Sequence, residues 1–459
     1  MKKMRNFFYS FLISSIILTV LSCGKSTDEN VNFVVSKTND TVNNTVNDNI
    51  HGSSGENWGD SDFQINPQEV AGLWEFVTTN SGYALVGSKE RRPWIQIVNK
   101  NGQSQLTKRY DVFGNYKSNF GNGLPAVGSL DGSAIYETND GGYIVGTYVN
   151  PRHPSYGYSY IFKTDSQGEI EWKRELKYKS GSAKVIHFVE DIMQTEDGHY
   201  VAVGYTSGDS GNQIKGQGFM TKIDKDDGTE KWMKRFGDRA CVFDTLNSVL
   251  EDDENNLIAI GKYEKPCPRY VCHHGYACGD VYFLKIDSAT GETLISKRHA
   301  PNKWWASGNT ILQLDDGDFI VGGRIKADKR NASNSAVWRL DQNGEMVWSK
   351  PWTGTARREK NNDIHNEDVL ALALSPQRDA IIAAGVTRLA GVRKPQKPDM
   401  MAWSMDLNGI QKWVKRYEKV GPQAAADITQ INTNRYLLSG GKSFFEIDSD
   451  GNLKKIHNL

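Results

Sequence analysis

One short phrase recurs seven times along this chain of 459 residues. It consists of an aromatic or aliphatic residue, two or three small apolar residues, and a glycine. The copies are Tyr83–Gly87, Tyr143–Gly146, Tyr200–Gly204, Leu257–Gly261, Phe319–Gly323, Ile381–Gly385 and Tyr436–Gly440. Their glycines lie 59, 58, 57, 62, 62 and 55 residues apart. A period of this length predicts one supersecondary unit used seven times, and we number these repeats 1 to 7 in chain order.

A second phrase follows each copy of the first. It reads apolar-x-apolar-Asp, then a turn with glycine, then an apolar residue four positions after that glycine. The copies are Ile161–Trp172, Met220–Trp232, Phe283–Ile295, Val337–Trp348, Ala402–Trp413 and Phe444–Lys455, with a degenerate first copy, Ile95–Leu106. Asp-Gly turns suit tight hairpins because glycine tolerates a positive φ. Each repeat is therefore predicted to be four antiparallel strands.

This pattern resembles known propeller repeats. The stretch Asp287–Glu292 and the Gly-x-x-x-Trp spacing resemble the tryptophan-docking motif of quinoprotein-type propellers. The period of about sixty residues resembles the propeller repeats of secreted bacterial proteins. The resemblance implies an all-β fold, a seven-bladed β-propeller of four-stranded antiparallel blades spanning residues 67–459.

The recurring tryptophans and aspartates have structural interpretations in such a fold. Trp172, Trp232, Trp348 and Trp413 share one phase relative to the turn glycine, so we expect them to pack between blades. One aspartate per turn does not supply the six to eight oxygens that calcium prefers. We therefore expect these aspartates to form turns rather than to bind a metal.

The first 23 residues differ from the rest of the chain. Basic residues at 2, 3 and 5 precede an apolar run, Phe7–Val20, that is short for a membrane span. Val20–Cys23 resembles the bacterial lipobox, in which the signal peptide is cleaved before a cysteine that becomes lipidated. The resemblance implies lipidation of Cys23, and Gly24 in place of aspartate implies the outer membrane or cell surface. An uncleaved membrane anchor is the alternative.

Residues 24–66 are rich in Asn, Thr, Ser, Asp and Gly and contain few large apolar residues. Such a composition cannot bury enough apolar surface to fold alone, so we predict a flexible tether. The predicted organisation is a signal peptide at 1–23, the tether at 24–66 and the propeller at 67–459.

The loops that interrupt the repeat carry the candidate binding residues. Loops after the second strand, and the links between repeats, should open on one edge of the fold. Basic residues outnumber acidic ones in these loops, although the whole chain has 55 Lys+Arg and 55 Asp+Glu. Basic and aromatic side chains together suit an acidic glycan or an acidic protein. The candidates are Arg152, Tyr156, Tyr158, Arg269, His273, His274, Tyr276, Trp304, Trp305, Arg324, Arg330 and Arg393. A simple solvated loop surface is the alternative.

Repeat 4 contains the sharpest break, a loop with Cys267, Cys272 and Cys278, and Cys241 precedes it in the link. With Cys23 lipidated, four cysteines remain in an oxidising compartment, which favours two disulfides of undetermined pairing. Zinc is the competing interpretation, since the segment offers cysteine and histidine ligands at no standard spacing.

The sequence leaves three classes of function open. A surface binding module requires no catalytic constellation, and none is visible. A propeller hydrolase or lyase is the second class, although Asp224–Trp232 departs from the sialidase box and no adjacent cysteines match quinoprotein dehydrogenases. An outer-membrane assembly scaffold is the third. We expect a monomer that binds rather than catalyses, without cofactor or metal, and with the membrane contacted through its lipid alone. Export disfavours a nucleic-acid partner.

Overall fold

The computed structural model describes residues 73–89, 92–100, 102–112, 129–150, 159–176, 187–206, 216–237, 243–266, 277–300, 305–326, 333–352, 364–390, 399–417, 425–440 and 443–458. Every regular element in these ranges is a β-strand, which confirms the all-β prediction. The described part of the chain includes no helix that is long and apolar enough to cross a bilayer. The predicted signal peptide and tether lie outside these ranges.

Each repeat contributes four strands. Repeats 1 to 3 contain β1 (Leu73–Thr78), β2 (Gly82–Lys89), β3 (Arg92–Asn99), β4 (Ser104–Arg109), β5 (Ser129–Glu137), β6 (Tyr143–Asn150), β7 (Tyr160–Thr164), β8 (Ile170–Glu175), β9 (His187–Gln194), β10 (Tyr200–Thr206), β11 (Gly218–Ile223) and β12 (Glu230–Phe236). Repeats 4 and 5 contain β13 (Thr245–Glu251), β14 (Asn256–Pro266), β15 (Ala277–Asp287), β16 (Thr293–His299), β17 (Trp305–Gln313), β18 (Phe319–Lys326), β19 (Asn334–Leu340) and β20 (Met346–Trp352). Repeats 6 and 7 contain β21 (Ile364–Leu374), β22 (Ala380–Ala390), β23 (Asp399–Asp406), β24 (Gln411–Tyr417), β25 (Ala425–Asn432), β26 (Arg435–Gly440), β27 (Ser443–Asp448) and β28 (Leu453–Asn458).

Within every repeat the four strands pair antiparallel in chain order. Five repeats form separate four-stranded sheets, and repeats 4 and 5 share one eight-stranded sheet among the described residues. A single parallel pair, Gly279 opposite Trp305, joins the two halves of that larger sheet. The first strands of successive repeats contact one another in order, and β1 contacts β25. The described part of the chain therefore consists of four-stranded units arranged about their first strands.

The recurring glycine lies opposite a β-bulge in the first strand. In repeat 3, Gly204 pairs with Val189 while Val203 pairs with Asp191, so Glu190 is an additional residue on the first strand. The same irregularity occurs in all seven repeats; in the others the additional residues are Trp74, Ser133, Asn247, Asn309, Leu370 and Ala426. A bulge bends the strand and redirects its side chains, so each repeat turns at the same level.

In repeats 3 to 6 the bulge explains why glycine is required. A Cβ atom on Gly204 would lie 1.8 Å from the carbonyl oxygen of Phe188, and one on Gly261 would lie 1.9 Å from that of Thr245. No side chain tolerates such an approach to backbone. In repeat 2 the pairing is displaced by one residue, since Thr147 lies opposite Gly132. Gly146 is still needed there, because its Cβ would lie 2.4 Å from Val189.

The tryptophans pack between repeats, as predicted. The indole Nε1 of Trp172 donates to the carbonyl of Lys225 in the next repeat at 3.1 Å. The indoles of the other three donate equivalently, at 2.8 to 3.2 Å, to the carbonyls of Ser288, Leu407 and Ser449. Where Leu106 replaces the tryptophan in repeat 1, the hydroxyl of Tyr110 donates to Gly168 at 3.1 Å instead.

The aspartates of the second phrase form turns, also as predicted. Asp165 Oδ1 accepts from the backbone amides of Gln167 at 2.9 Å and Glu169 at 2.8 Å. Asp406 and Asp448 accept from the equivalent amides of their own turns. These bonds hold the loop that presents the turn glycine to the preceding repeat.

The bulge predicts a large effect for Gly204→Ala. The added methyl group would collide with the Phe188 carbonyl, so the strands must separate, which costs about 1–3 kcal/mol or more. Urea unfolding followed by circular dichroism measures this cost. Asn408→Ala, in an exposed turn, is the control and should change stability by less than about 0.5 kcal/mol. Equal stability of the two variants would contradict this role for the glycine.

Candidate functional site

Two of the predicted binding residues, Trp305 and Arg324, lie in the described part of the chain. Cys278 is in β15, where its backbone pairs with Lys265. The other predicted site residues lie outside the described ranges: Arg152, Tyr156, Tyr158, Arg269, His273, His274, Tyr276, Trp304, Arg330, Arg393, Cys23, Cys241, Cys267 and Cys272. Their roles, including the two disulfides, remain predictions.

Strand register explains why Trp305 and Arg324 meet. Trp305 begins β17 and pairs with Lys326 at the end of β18, and Ser307 pairs with Arg324. In repeat 4, Thr245 at the start of β13 likewise pairs with Lys262. The start of the first strand and the end of the second strand therefore lie at one edge, which we call the loop edge.

An aromatic ring and two cations converge at the loop edge between repeats 4 and 5. The guanidinium carbon of Arg324 lies 4.3 Å from the centroid of the Trp305 ring, and Lys262 Nζ lies 5.8 Å from it. Both distances permit cation–π attraction. A Cβ on Gly279 would lie 2.9 Å from the indole, so glycine lets the ring rest on the backbone of repeat 4. We call Trp305, Arg324 and Lys262 the Trp305 cluster.

Both cations of the Trp305 cluster have carboxylate partners. Arg324 Nη1 lies 3.4 Å from Asp368, and its side chain remains 42% exposed with no partner for Nε. Lys262 Nζ lies 2.5 Å from Glu264. Elsewhere at the loop edge, Arg92 pairs with Asp111 and Arg416 pairs with Asp399. The described part of this edge is therefore mixed in charge, whereas the sequence predicted a basic surplus across its loops.

The structure also brings together a group of acidic residues that the sequence did not single out. We call Glu75, Glu190, Asp191 and Asp427 the first-strand carboxylates, since they lie on β1, β9 and β25. Each occupies the bulge or the position directly after it. An alignment of the seven first strands at the bulge would have revealed them, because the other repeats carry neutral residues there.

Some of these carboxylates also connect neighbouring repeats. Glu75 Oε2 accepts from the backbone amide of Ile135 at 2.6 Å, and Asp191 Oδ2 accepts from that of Val249 at 2.8 Å. Asparagines at the bulge make equivalent connections, since Asn247 donates to the Gly308 carbonyl at 2.7 Å. The bulge thus aims polar side chains at the next repeat.

The surroundings of these groups favour their neutral forms. Burial, together with the charge of Asp191, raises the pKa of Asp427 to about 8 and the pKa of Glu190 to about 7. Burial also raises the pKa of Asp191 to about 6 and that of Glu75 well above its usual value. Glu190 still keeps solvent-exposed surface, so water reaches this member of the group.

No group of three or more His, Cys, Asp or Glu side chains suited to a metal ion occurs in the described ranges. The chemistry visible there is therefore that of the Trp305 cluster and of the first-strand carboxylates. The former can recognise an anion beside a ring, and the latter can exchange protons near neutral pH.

No protein-family model matches the chain, and no curated protein matches its sequence. Among solved structures, it resembles the periplasmic gluconolactonase PpgL of Pseudomonas aeruginosa, with 10% identity, a TM-score of 0.50, and coverage of 84% of this chain and 94% of that one. It also matches the Dos1 propeller (9% identity, 87% and 86% coverage, TM-score 0.44) and a protein of unknown function from Bacteroides caccae (12%, 61% and 82%, 0.36). At these identities the likeness concerns the fold alone, which is a β-propeller.

The first-strand carboxylates predict a stability that depends on pH. A carboxyl whose pKa is raised by folding stabilises the protein below its unfolded pKa, near 4, and that contribution is lost as pH rises through the folded pKa. For Asp427 this stabilisation is lost between about pH 4 and about pH 8. Asp427→Asn cannot ionise, so unfolding measured in urea from pH 5 to 9 should show a flatter decline than the parent. Asp450→Asn, in an exposed turn, is the control. Parallel curves for the Asp427 variant and the parent would refute the assignment.

Proposed function

We propose that this protein is a lipid-anchored, exported propeller of seven blades that binds an acidic glycan or an acidic protein at its loop edge. The observation that carries the proposal is the Trp305 cluster, in which two cations face one aromatic ring at the edge where the variable loops gather. Rings of this kind cover sugar faces, and guanidinium groups match carboxylate or sulfate oxygens.

Seven blades account for the arrangement of the strands. Each repeat supplies one four-stranded antiparallel unit, and a single parallel pair joins the units of repeats 4 and 5. The first strands contact one another from repeat 1 to repeat 7 and back to repeat 1. We therefore count one blade per repeat.

The cations of the Trp305 cluster can bind a ligand without leaving their present carboxylate partners unpaired. Asp368 also accepts from Asn309 Nδ2 at 2.6 Å, and Glu264 also accepts from the Phe243 amide at 2.8 Å. Each carboxylate thus keeps a hydrogen bond when its cation moves. The exposed part of the Arg324 side chain would donate to a ligand carboxylate or sulfate.

Lipidation at Cys23 and export to the outer membrane or cell surface complete the proposal. At the cell surface, the loop edge would be accessible to polysaccharides and to partner proteins outside the cell. The membrane would be contacted through the lipid alone, and the propeller would act as a monomer. An assembly scaffold remains the alternative if the acidic partner is a protein of the same membrane.

The first-strand carboxylates favour a second candidate function, which is cleavage of the bound polymer by a hydrolase or a lyase reaction. A carboxyl with a pKa near 7, as in Glu190, can act as a general acid or base at physiological pH. Its retained solvent exposure would let a substrate reach it. Shortening of the polymer during incubation, abolished in Glu190→Gln, would identify this activity.

Binding to acidic polysaccharide tests the principal proposal. Arg324→Ala and Trp305→Ala should each weaken binding of the mature protein to heparin or polygalacturonate by about tenfold, because each removes part of the recognition of an anion beside a ring. Affinity should also fall as salt rises from 50 to 200 mM, since ions screen surface charges.

Arg378→Ala is the matched control, because this exposed arginine lies in the turn between β21 and β22 at the opposite edge. It should leave affinity unchanged. Equal weakening by all three variants, binding that is indifferent to salt, or no binding to any acidic polymer would contradict the proposal.

A further inference from the structure

Four buried polar atoms without hydrogen-bond partners belong to three side chains of repeats 1 and 7. They are Trp94 Nε1, Gln96 Nε2, Gln96 Oε1 and Ser439 Oγ. The three residues are 1%, 0% and 0% exposed. Buried polar groups in folded proteins nearly always have a partner in protein or ordered water, so these four atoms require an explanation.

All three side chains lie on the facing surfaces of repeats 1 and 7. Trp94 and Val98 of β3 pack with Leu437 and Phe444 of repeat 7 in one apolar cluster. Gln96 lies between Trp94 and Val98 in the strand, so alternation places it on the same face. Ser439 pairs directly with Phe444, which places the serine on the face turned toward repeat 1. We call this interface the closing seam.

These polar residues depart from the repeat. The residue two positions after the one opposite the recurring glycine is Gln96 in repeat 1, but it is Leu284, Trp403 and Phe445 in repeats 4, 6 and 7. In repeats 2 and 3 it is Lys163 and Thr221, whose side chains have hydrogen-bond partners. The residue before that glycine is Ser439 in repeat 7, whereas Val86, Val203 and Ile260 stand there in repeats 1, 3 and 4. Gln96 and Ser439 thus differ from these residues in being polar and without a hydrogen-bond partner.

The closing seam also lacks two means by which propeller rings are fastened. All four strands of repeat 1 come from one segment and all four strands of repeat 7 from another, so no strand is exchanged across the seam. Lys455 stands in repeat 7 where other repeats place the tryptophan that donates to the next repeat. The hydroxyls of Thr78 and Thr429 do meet across the seam, at the exposed turn end.

A polar path leads from the closing seam to the first-strand carboxylates. Ser439 pairs across the sheet with Asp427, so both side chains project from the same face. The charge of Asp191 acts on Asp427, and the neighbour of Asp191 in the strand, Glu190, is exposed to solvent. Polar side chains thus lead from the first-strand carboxylates to Ser439, which lies beside the apolar cluster of Trp94, Leu437 and Phe444.

We propose that the closing seam is a binding site for buried water, which bridges Gln96 and Trp94 of repeat 1 to Ser439 of repeat 7 and fastens the ring in place of an indole. The available groups fit a water molecule well. The indole N–H and the amide N–H donate, the amide oxygen accepts, and the serine hydroxyl does either. A buried water makes about three hydrogen bonds, which this set supplies. The site is independent of ligand binding at the loop edge.

A crystal structure of the mature protein, at a resolution that shows ordered water, tests the proposal directly. It should show at least one water oxygen within about 2.7–3.2 Å of both Gln96 and Ser439. A dry seam, or side chains turned to direct protein partners, would overturn the proposal. This experiment requires no variant and is therefore unaffected by folding defects.

A double-mutant cycle supplies the second test. If one water joins the two side chains, removing either loses it, so the loss in Tm of Gln96→Leu with Ser439→Ala should be smaller than the sum of the single losses. The control pairs Gln96→Leu with Ser335→Ala, because Ser335 Oγ is equally buried and without a partner but belongs to repeat 5. That pair should be additive. Additivity of the first pair, or a rise in Tm for Gln96→Leu, would contradict the bridge.

Discussion

The contact between a glycine and a bulged strand is the constraint on which the rest of this fold depends. At Gly204 and Gly385 a Cβ would lie 1.8 Å from a carbonyl oxygen of the first strand, so these positions admit no side chain. The close approach lets the second strand pair tightly beside the bulge, and the bulge bends the first strand at the same level in every repeat. Seven such bends are what allow seven sheets to pack about one axis in the ring that we propose.

The same bulge determines what the interior contains. Because it adds a residue to the first strand, it directs polar side chains either to the next repeat or into surroundings that raise the pKa of a carboxyl. Asn247 and Asp191 bond to the next repeat, and burial raises the pKa values of Glu190, Asp191 and Asp427. Burial, together with repulsion from the Asp191 carboxylate, brings the pKa of Glu190 to about 7 and that of Asp427 to about 8. The bulge, a feature of the fold, thus gives the first-strand carboxylates their raised pKa values.

The sequence predicted the features that local spacing controls. Periodicity identified four strands per repeat, and the phase of Trp172 and Trp413 relative to the turn glycine correctly placed both indoles between repeats. It did not predict the first-strand carboxylates, because strand register at a bulge is not visible in one copy of a repeat. Nor did it predict that Arg324 pairs with Asp368, since that contact depends on how adjacent repeats pack. The sequence did not predict the polar closing seam for the same reason.

An experimental structure of the mature protein, by crystallography or electron microscopy, is the most direct test of the central claim. We predict seven four-stranded blades, each with a bulge in its first strand at the level of the recurring glycine, including Glu190 opposite the Gly204 region and Asn247 opposite the Gly261 region. A ring of six or eight blades, or first strands that pair regularly past those glycines, would contradict the account.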